Sequence, residues 1–337
     1  MEKLRYHSSL IVLYLVISLV IISFFPGPRV KSEENSPRKL LLDVLTDVRG
    51  SAGYRYNAKD DRGARLDTIK IIESPAGGYL GVYHYKMGSK FEVRLARSSN
   101  LLDWYYARTL EEDASQPYIY YHEESGGFLI AYEKEGDDPH LKFEYFEGLD
   151  NLLHTSPRTT FEATQRLSNY AEGTPNIYNA TPDLSEVTVG FHYFRNGFVD
   201  RVAMGELKGL LTSTPQWSAY PQGEYNKKLS PKGVDGNIGD RDYIQVLSHK
   251  FNLQEGQLTR EDWGSWRLWL YDYQRESFTE VDIQTHKGSP SIGNGTFTIL
   301  ESPSGKPAIV VTCFLFTPAA APGEGGELIY YHELPEL

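Results

Sequence analysis

Along most of the chain, apolar and polar positions alternate with a period of two, in short runs broken by Gly, Pro, Asn and Asp. In Tyr79-Leu-Gly-Val-Tyr-His-Tyr85 one face carries Tyr, Gly, Tyr and Tyr, and the other Leu, Val and His, the pattern of a half-buried strand. Beyond residue 60 no segment keeps a long 3.6-residue period, so helices are not expected to organise the body. The strand runs also repeat. Residues 65–85 give a polar lead, a short strand, a Pro/Gly turn and a second apolar strand ending in aromatics, and this form returns at 114–132, 172–193, 239–273 and 293–314.

Registered on Thr68, Pro117, Pro175, Asp242 and Thr296, the copies lie 49, 58, 67 and 54 residues apart, the period of four-stranded propeller blades with variable loops. Gly77-Gly78, Gly126-Gly127 and Ser304-Gly305 supply the turns of the hairpins. In the fourth copy the second strand is expected at 266–273, after a long insertion. Segments 91–97 and 201–207 read as outer strands. A β-sandwich is the competing way to use many short strands, but five copies at similar spacing favour radial closure. The expected fold is all-β: a five-bladed β-propeller over residues 61–337, preceded by an N-terminal signal or anchor segment.

That segment has its own pattern. Lys3 and Arg5 precede an apolar run from Leu10 to Phe25, followed by Pro-Gly-Pro at 26–28. This is the charged and apolar order of an export signal, and it is short for a full span of hydrocarbon. Residues 1–28 are therefore expected to be a signal peptide or signal anchor, and 29–60 a polar linker and lead-in. The folded part is placed outside the cytoplasm, secreted or membrane-anchored, with membrane contact only through residues 10–25 if they stay uncleaved.

Composition narrows the function. The formal net charge is −11, with no long basic run past residue 40, which argues against a nucleic-acid partner. Cys313 is the sole cysteine and sits in the apolar run Ala308-Ile-Val-Val-Thr-Cys313, so it reads as a core residue rather than a nucleophile. Zinc-ligand spacing, a Gly-x-Ser-x-Gly elbow and a phosphate-binding glycine loop are all missing from the sequence. No cofactor is implied. Trp104, Trp266 and Trp269 lie in strand contexts and read as packing residues, and His84, His122 and His192 as core or rim imidazoles. Asn179-Ala-Thr181 and Asn294-Gly-Thr296 match the glycosylation pattern, but at strand positions.

Ala96-Arg-Ser-Ser-Asn-Leu-Leu-Asp-Trp104 resembles the Ser-x-Asp-Leu-x-x-Trp outer-strand motif of five-bladed propeller glycosidases, with Asn100 in place of the Asp. Over residues 60–335 the blade pattern is similar to the arabinanase, levansucrase and invertase group, which includes glycoside hydrolase families 43 and 32. The resemblance implies a carbohydrate substrate and one carboxylate from each of three blades at a central funnel. One carboxyl protonates the leaving oxygen while another activates water or attacks the sugar. An axial Ca²⁺, found in some relatives, is not indicated by this sequence.

Carried over by position, the blades open at Asp67, Gln116, Thr174, Arg241 and Gly295. Asp67 matches the base or nucleophile position. The second blade has Gln116-Pro117-Tyr118 without an acid, and Glu172 lies two residues before Thr174-Pro175. The fourth blade offers Asp240 and Asp242 around Arg241. The catalytic candidates are Asp67, Glu172, Asp240 and Asp242. The substrate-binding candidates are Gln116, Arg241, His84 and Asn294, with Arg241 suited to an anionic group. Departures at Gln116 and Thr174 leave open a second class, a propeller that binds glycan or protein without catalysis.

Overall fold

Twenty strands between Gly53 and Glu333 pair into five antiparallel four-stranded sheets in the computed structural model, which describes residues 36–164, 166–239 and 242–334. Blade 1 is β2 (Asp67–Glu73), β3 (Tyr79–Met87), β4 (Lys90–Ser98) and β5 (Tyr105–Glu112). Blade 2 is β6 (Ala114–His122), β7 (Gly127–Lys134), β8 (His140–Phe146) and β9 (Thr159–Glu162). Blade 3 is β10 (Glu172–Ala180), β11 (Glu186–Arg195), β12 (Val199–Lys208) and β13 (Gln216–Pro221). Blade 4 is β14 (Asp242–Val246), β15 (His249–Gln257), β16 (Trp266–Asp272) and β17 (Ser277–Val281). Blade 5 is β18 (Ile292–Glu301), β19 (Pro307–Leu315) and β20 (Gly326–Glu333), and its outer strand is β1 (Gly53–Arg55) from the start of the chain. The inner strands close a ring: β2 touches β6 and β18, β10 touches β6 and β14, and β14 touches β18. The five-bladed propeller expected from the repeats is the fold.

The closing strand changes the reading of residues 36–60. They are part of the propeller rather than a lead-in. Helix α1 (Pro37–Thr46) starts on Ser36, whose side chain accepts from the Lys39 N–H, with Pro37 in the first turn. Its Leu41, Val44 and Leu45 join the core between blades 4 and 5. Full burial of each such side chain is worth roughly 2 kcal/mol.

Blade 4 also differs from expectation. Its second strand is β15, joined to β14 by a tight turn with Leu247 at φ 55, and 266–272 is the third strand. Asn252, Gln254 and Glu255 are buried polar residues within β15, so the run lacks the apolar content that marks the other second strands. The long insertion lies instead before β14, where residues 222–238 carry the short helix α2 (Gly223–Lys227).

Blade faces pack through apolar side chains. Val82 and Leu95 of blade 1 share a cluster with Ile119 and Ile130 of blade 2. Leu129 and Phe143 of blade 2 meet Val187 and Phe191 of blade 3. Ile69 and Trp104 of blade 1 meet Val310 and Ile329 of blade 5. Trp104 and Trp269 are buried, and Trp266 nearly so, in the packing role expected of them. Cys313 is buried and its thiol is pushed up by desolvation.

Candidate functional site

Rotation about the axis brings the N-terminal ends of all five inner strands to one mouth. At that end, four of them share a kink. Thr68, Gln116, Thr174 and Asn294 are left-handed, with φ of 58, 52, 50 and 52°, and the hairpin ladder slips beside each. Such non-glycine conformations cost about 1–3 kcal/mol each, so a repeated one needs a repeated compensation. The kink frees a backbone N–H, and the preceding blade supplies an acceptor. Thr68 N donates to Oε2 of Glu327 at 2.9 Å, Gln116 N to Nδ1 of His84 at 3.1 Å, and Asn294 N to Oε2 of Glu255 at 2.6 Å.

This kink fixes the true blade register. Thr68 is equivalent to Gln116, Thr174 and Asn294, not to Pro117, Pro175 and Thr296 as the sequence alignment placed it. Asp67 is then equivalent to Ser115, Gly173 and Gly293, each the last paired residue before the slip. Glycine at those places makes room for carboxylates of the second strands. A methyl at Gly173 would stand 1.8 Å from Oε2 of Glu133, one at Gly239 2.1 Å from Oε1 of Glu255, and one at Gly293 2.9 Å from Oε2 of Glu255.

Among the described residues, Asp67 is the one inner-strand acid at this level. It is 5 % exposed, pairs with His84 across the hairpin, and accepts from Arg65 at 3.1 Å through Oδ2. Its Oδ1 is buried without a hydrogen-bond partner. Burial raises its pKa above the ordinary carboxylate value, against the opposing pull of Arg65. His84 is buried next to it, accepts from Gln116 N, stands 3.0 Å from the Thr68 hydroxyl and packs edge-on against Phe91. Asp67, His84, Gln116 and Asn294 are therefore brought to one mouth, although His84 and Asn294 also serve the blade joints.

The other predicted acids go elsewhere. Glu172 is one residue before Gly173 and so lies on the opposite strand face from the Asp67 equivalent. Its Oε1 accepts the N–H groups of Leu167 and Ser168, so it pins that loop, and its Oε2 is buried without a partner. Burial pushes it up to about 6. Asp242 lies three residues deeper along the axis, at the level of Lys70 and Tyr118. Its oxygens accept from Lys70 Nζ, from Phe297 N at 2.9 Å, from the Tyr118 hydroxyl at 3.0 Å and from Tyr243 N at 2.9 Å. It is fully buried and ties four blades together rather than facing the mouth. Below it, a depression of about 510 Å³ at the far end is floored by Lys70, Tyr118 and Phe297. Asp240 and Arg241 lie outside the described residues.

Sequence reasoning missed Glu133, Glu255 and Glu327. Glu133 and Glu327 are buried or half-buried acids beside apolar runs, a signal that could have found them, whereas Glu255 sits in the polar strand β15 and had none. It also missed the rim. Tyr170, Phe198 and Trp263 are each more than half exposed, on loops at the mouth end of blades 3 and 4. Trp263 packs on Phe316 with ring centroids 5.4 Å apart, and Phe316 borders Gly293 beside Glu255. His122 is at the far end, tying blade 2 to the Thr181 carbonyl of blade 3 at 3.0 Å. Among the described residues, no three His, Cys, Asp or Glu side chains are placed to share a metal ion.

No family model matches the chain, and no curated protein sequence does. Solved structures do. An exo-β-1,3-galactanase from Clostridium thermocellum superposes with a TM-score of 0.54 at 12 % identity, covering 84 % of this chain and 63 % of that one. An endo-arabinase from Bacteroides thetaiotaomicron gives 0.51 at 11 % identity, covering 84 % of this chain and 98 % of that one. A β-1,3-galactosidase of glycoside hydrolase family 43 gives 0.51 at 12 % identity, covering 83 % and 60 %. The chain thus spans about three fifths of the galactanase and the galactosidase, and nearly all of the arabinase. At these identities the likeness is one of fold: the propeller is built as in those glycosidases.

Proposed function

We propose that the protein is a glycoside hydrolase acting on polysaccharide or oligosaccharide outside the cytoplasm, with Asp67 as its base. The observation that carries this reading is the Asp67 carboxyl: buried at the mouth of the axis, held through one oxygen by Arg65, with the other oxygen unpartnered. A raised pKa makes it a stronger base than an exposed aspartate. In an inverting reaction the Asp67 carboxylate takes a proton from water as that water attacks the anomeric carbon. A second carboxyl gives a proton to the departing oxygen from about 6.5–9.5 Å away. Blade 4 supplies that acid, and Glu255 is its described carboxyl at the mouth. In this role Oε2 keeps accepting from Asn294 N. Trp263 and Arg65, both partly exposed, offer a ring face and a donor to the sugar. The apolar run 10–25, with the charges before it, supports export.

A second reading, glycan binding without hydrolysis, is favoured by Gly173 and Gly293, which occupy inner-strand places equivalent to Asp67. Hydrolysis of aryl furanosides, aryl pyranosides, arabinan and fructan by wild type, Asp67→Asn and Glu255→Gln separates the two. Asp67→Asn is expected to lose about 10³-fold or more on every substrate. Glu255→Gln loses most on polymers and least on dinitrophenyl glycosides, whose leaving group needs no proton. Full activity in Asp67→Asn removes the base assignment. A wild type that binds these polymers without cleaving them establishes the second reading.

A further inference from the structure

Between blades 3 and 4 the insertion 222–238 acts as a wedge: Leu229, Val234 and Ile238 fill the space between Val202 of blade 3 and Trp269 and Phe278 of blade 4. The rest of that interface stays open as a cleft of about 760 Å³. It lies around the later residues of β10 and β14 rather than at the mouth, and it shares no lining residue with the Asp67 site.

The lining has a consistent chemistry. Tyr178 from blade 3 and Tyr243 from blade 4 stack across the joint, centroids 5.0 Å apart and planes 17° from parallel. Tyr273 stands edge-on to Tyr243 at 6.1 Å. Tyr220 faces the cleft from β13 and is 48 % exposed. Exposed amides of Asn179 and Gln245 line it too, and among the described residues Lys250 is the one charged side chain in the wall and no carboxylate is there. Ring faces bind the apolar C–H face of a sugar. Amides donate to and accept from its hydroxyls. A wall with no acid and a single cation does not select a charged ligand.

The geometry points to a second carbohydrate site here, a binding cleft for a neutral glycan chain, remote from the Asp67 mouth. It does not depend on whether the mouth hydrolyses its ligand. The cleft holds a polymer against the flank of the propeller through Tyr220, the Tyr178–Tyr243 stack and the flanking amides, while the mouth remains open to another stretch of chain.

Affinity electrophoresis of the full chain in gels containing soluble arabinan, β-1,3-galactan or fructan tests this, with polygalacturonate as the charged comparison. Wild type and Asp67→Asn should be retarded equally by at least one neutral polymer. Tyr220→Ala, at a half-exposed position where folding is not at risk, should weaken that retention about fivefold, and Tyr178→Ala with Tyr220→Ala should weaken it further. Unchanged mobility of wild type in all three neutral polymers overturns the proposal. So does a double variant retained as strongly as wild type while its melting temperature is unchanged. Retention by polygalacturonate alone, lost in Lys250→Met, also overturns it and makes the cleft an anion site.

Discussion

Asp67 and Asp242 are both buried aspartates on inner strands, three residues apart in blade register, and their surroundings are opposite. Asp242 has four donors on two oxygens, among them a buried Lys70. Asp67 has one donor among the described residues, the Arg65 side chain, which is 42 % exposed, and an oxygen with none. Burial is common to both, so burial alone does not mark a working group. What separates them is depth along the axis. Near its middle, carboxylate and ammonium are matched and the blades are tied together. At the mouth, where the kinks part the strands, Asp67 keeps an unmatched oxygen.

The comparison breaks most sharply at Lys70. Burial pulls its pKa down while Asp242 opposes that pull, and Tyr118 lies under the ammonium at 4.9 Å. Lys70→Met leaves Asp242 buried without its cation, at an expected cost of about 3–5 kcal/mol. Lys70→Met with Asp242→Asn should cost clearly less than the sum of the two single changes, because the unpaired charge is gone. Urea unfolding of the four proteins measures this. A Lys70→Met loss below about 1 kcal/mol would mean that the axial pair is not what joins the blades.

Glu172 sharpens the contrast from outside the axis. Its carboxyl is raised from the usual 4.5 to about 6 by burial. The folded state therefore holds its proton more tightly than the unfolded chain. The stability this group contributes is present below pH 4.5 and is lost as pH rises through 6. A shift of that size corresponds to about 2 kcal/mol. Glu172→Gln keeps an acceptor for the Leu167 and Ser168 N–H groups and cannot ionise. It should be more stable than wild type by up to about 2 kcal/mol at pH 8, with no advantage at pH 4. Equal stability of the two proteins at both pH values would show that Glu172 titrates as an exposed glutamate.

The blade repeat and Asp67 were legible in the sequence because they depend on period and residue type. The remaining site was not, because it depends on register. Thr68, Gln116, Thr174 and Asn294 adopt a conformation that usually announces itself through glycine, so the kink had no sequence mark and the second and third repeats were aligned one residue off and the fifth two. A slip of one residue moves a side chain to the other face. That is why Glu172 pointed to the mouth on paper and lies under a loop in the fold. Two further acids at the mouth sit on second strands, where Glu133 and Glu255 occupy space left by Gly173, Gly239 and Gly293. Such complementarity between distant positions has no trace in either segment alone. The helix at 37–46 was missed for another reason: only three of its side chains are buried, and its partner surface is assembled from blades 4 and 5.

The smallest expected effect falls on Asp67 itself. Its pKa is raised, so like Glu172 it favours the proton when folded, and its contribution to stability is lost as pH rises through the folded value. Asn at this position removes a partly compensated buried charge and keeps an acceptor for Arg65. The melting temperature of Asp67→Asn at pH 7 should be unchanged or higher, and lower by no more than about 4 °C if the Arg65 contact dominates. Paired with the large loss expected at Lys70, that result would divide the two aspartates by function: Asp242 retained for the fold, Asp67 retained at a cost to it. A large fall in melting temperature for Asp67→Asn would instead place Asp67 with Asp242 as a structural group. Among the described residues, the mouth would then hold no inner-strand acid set aside for chemistry.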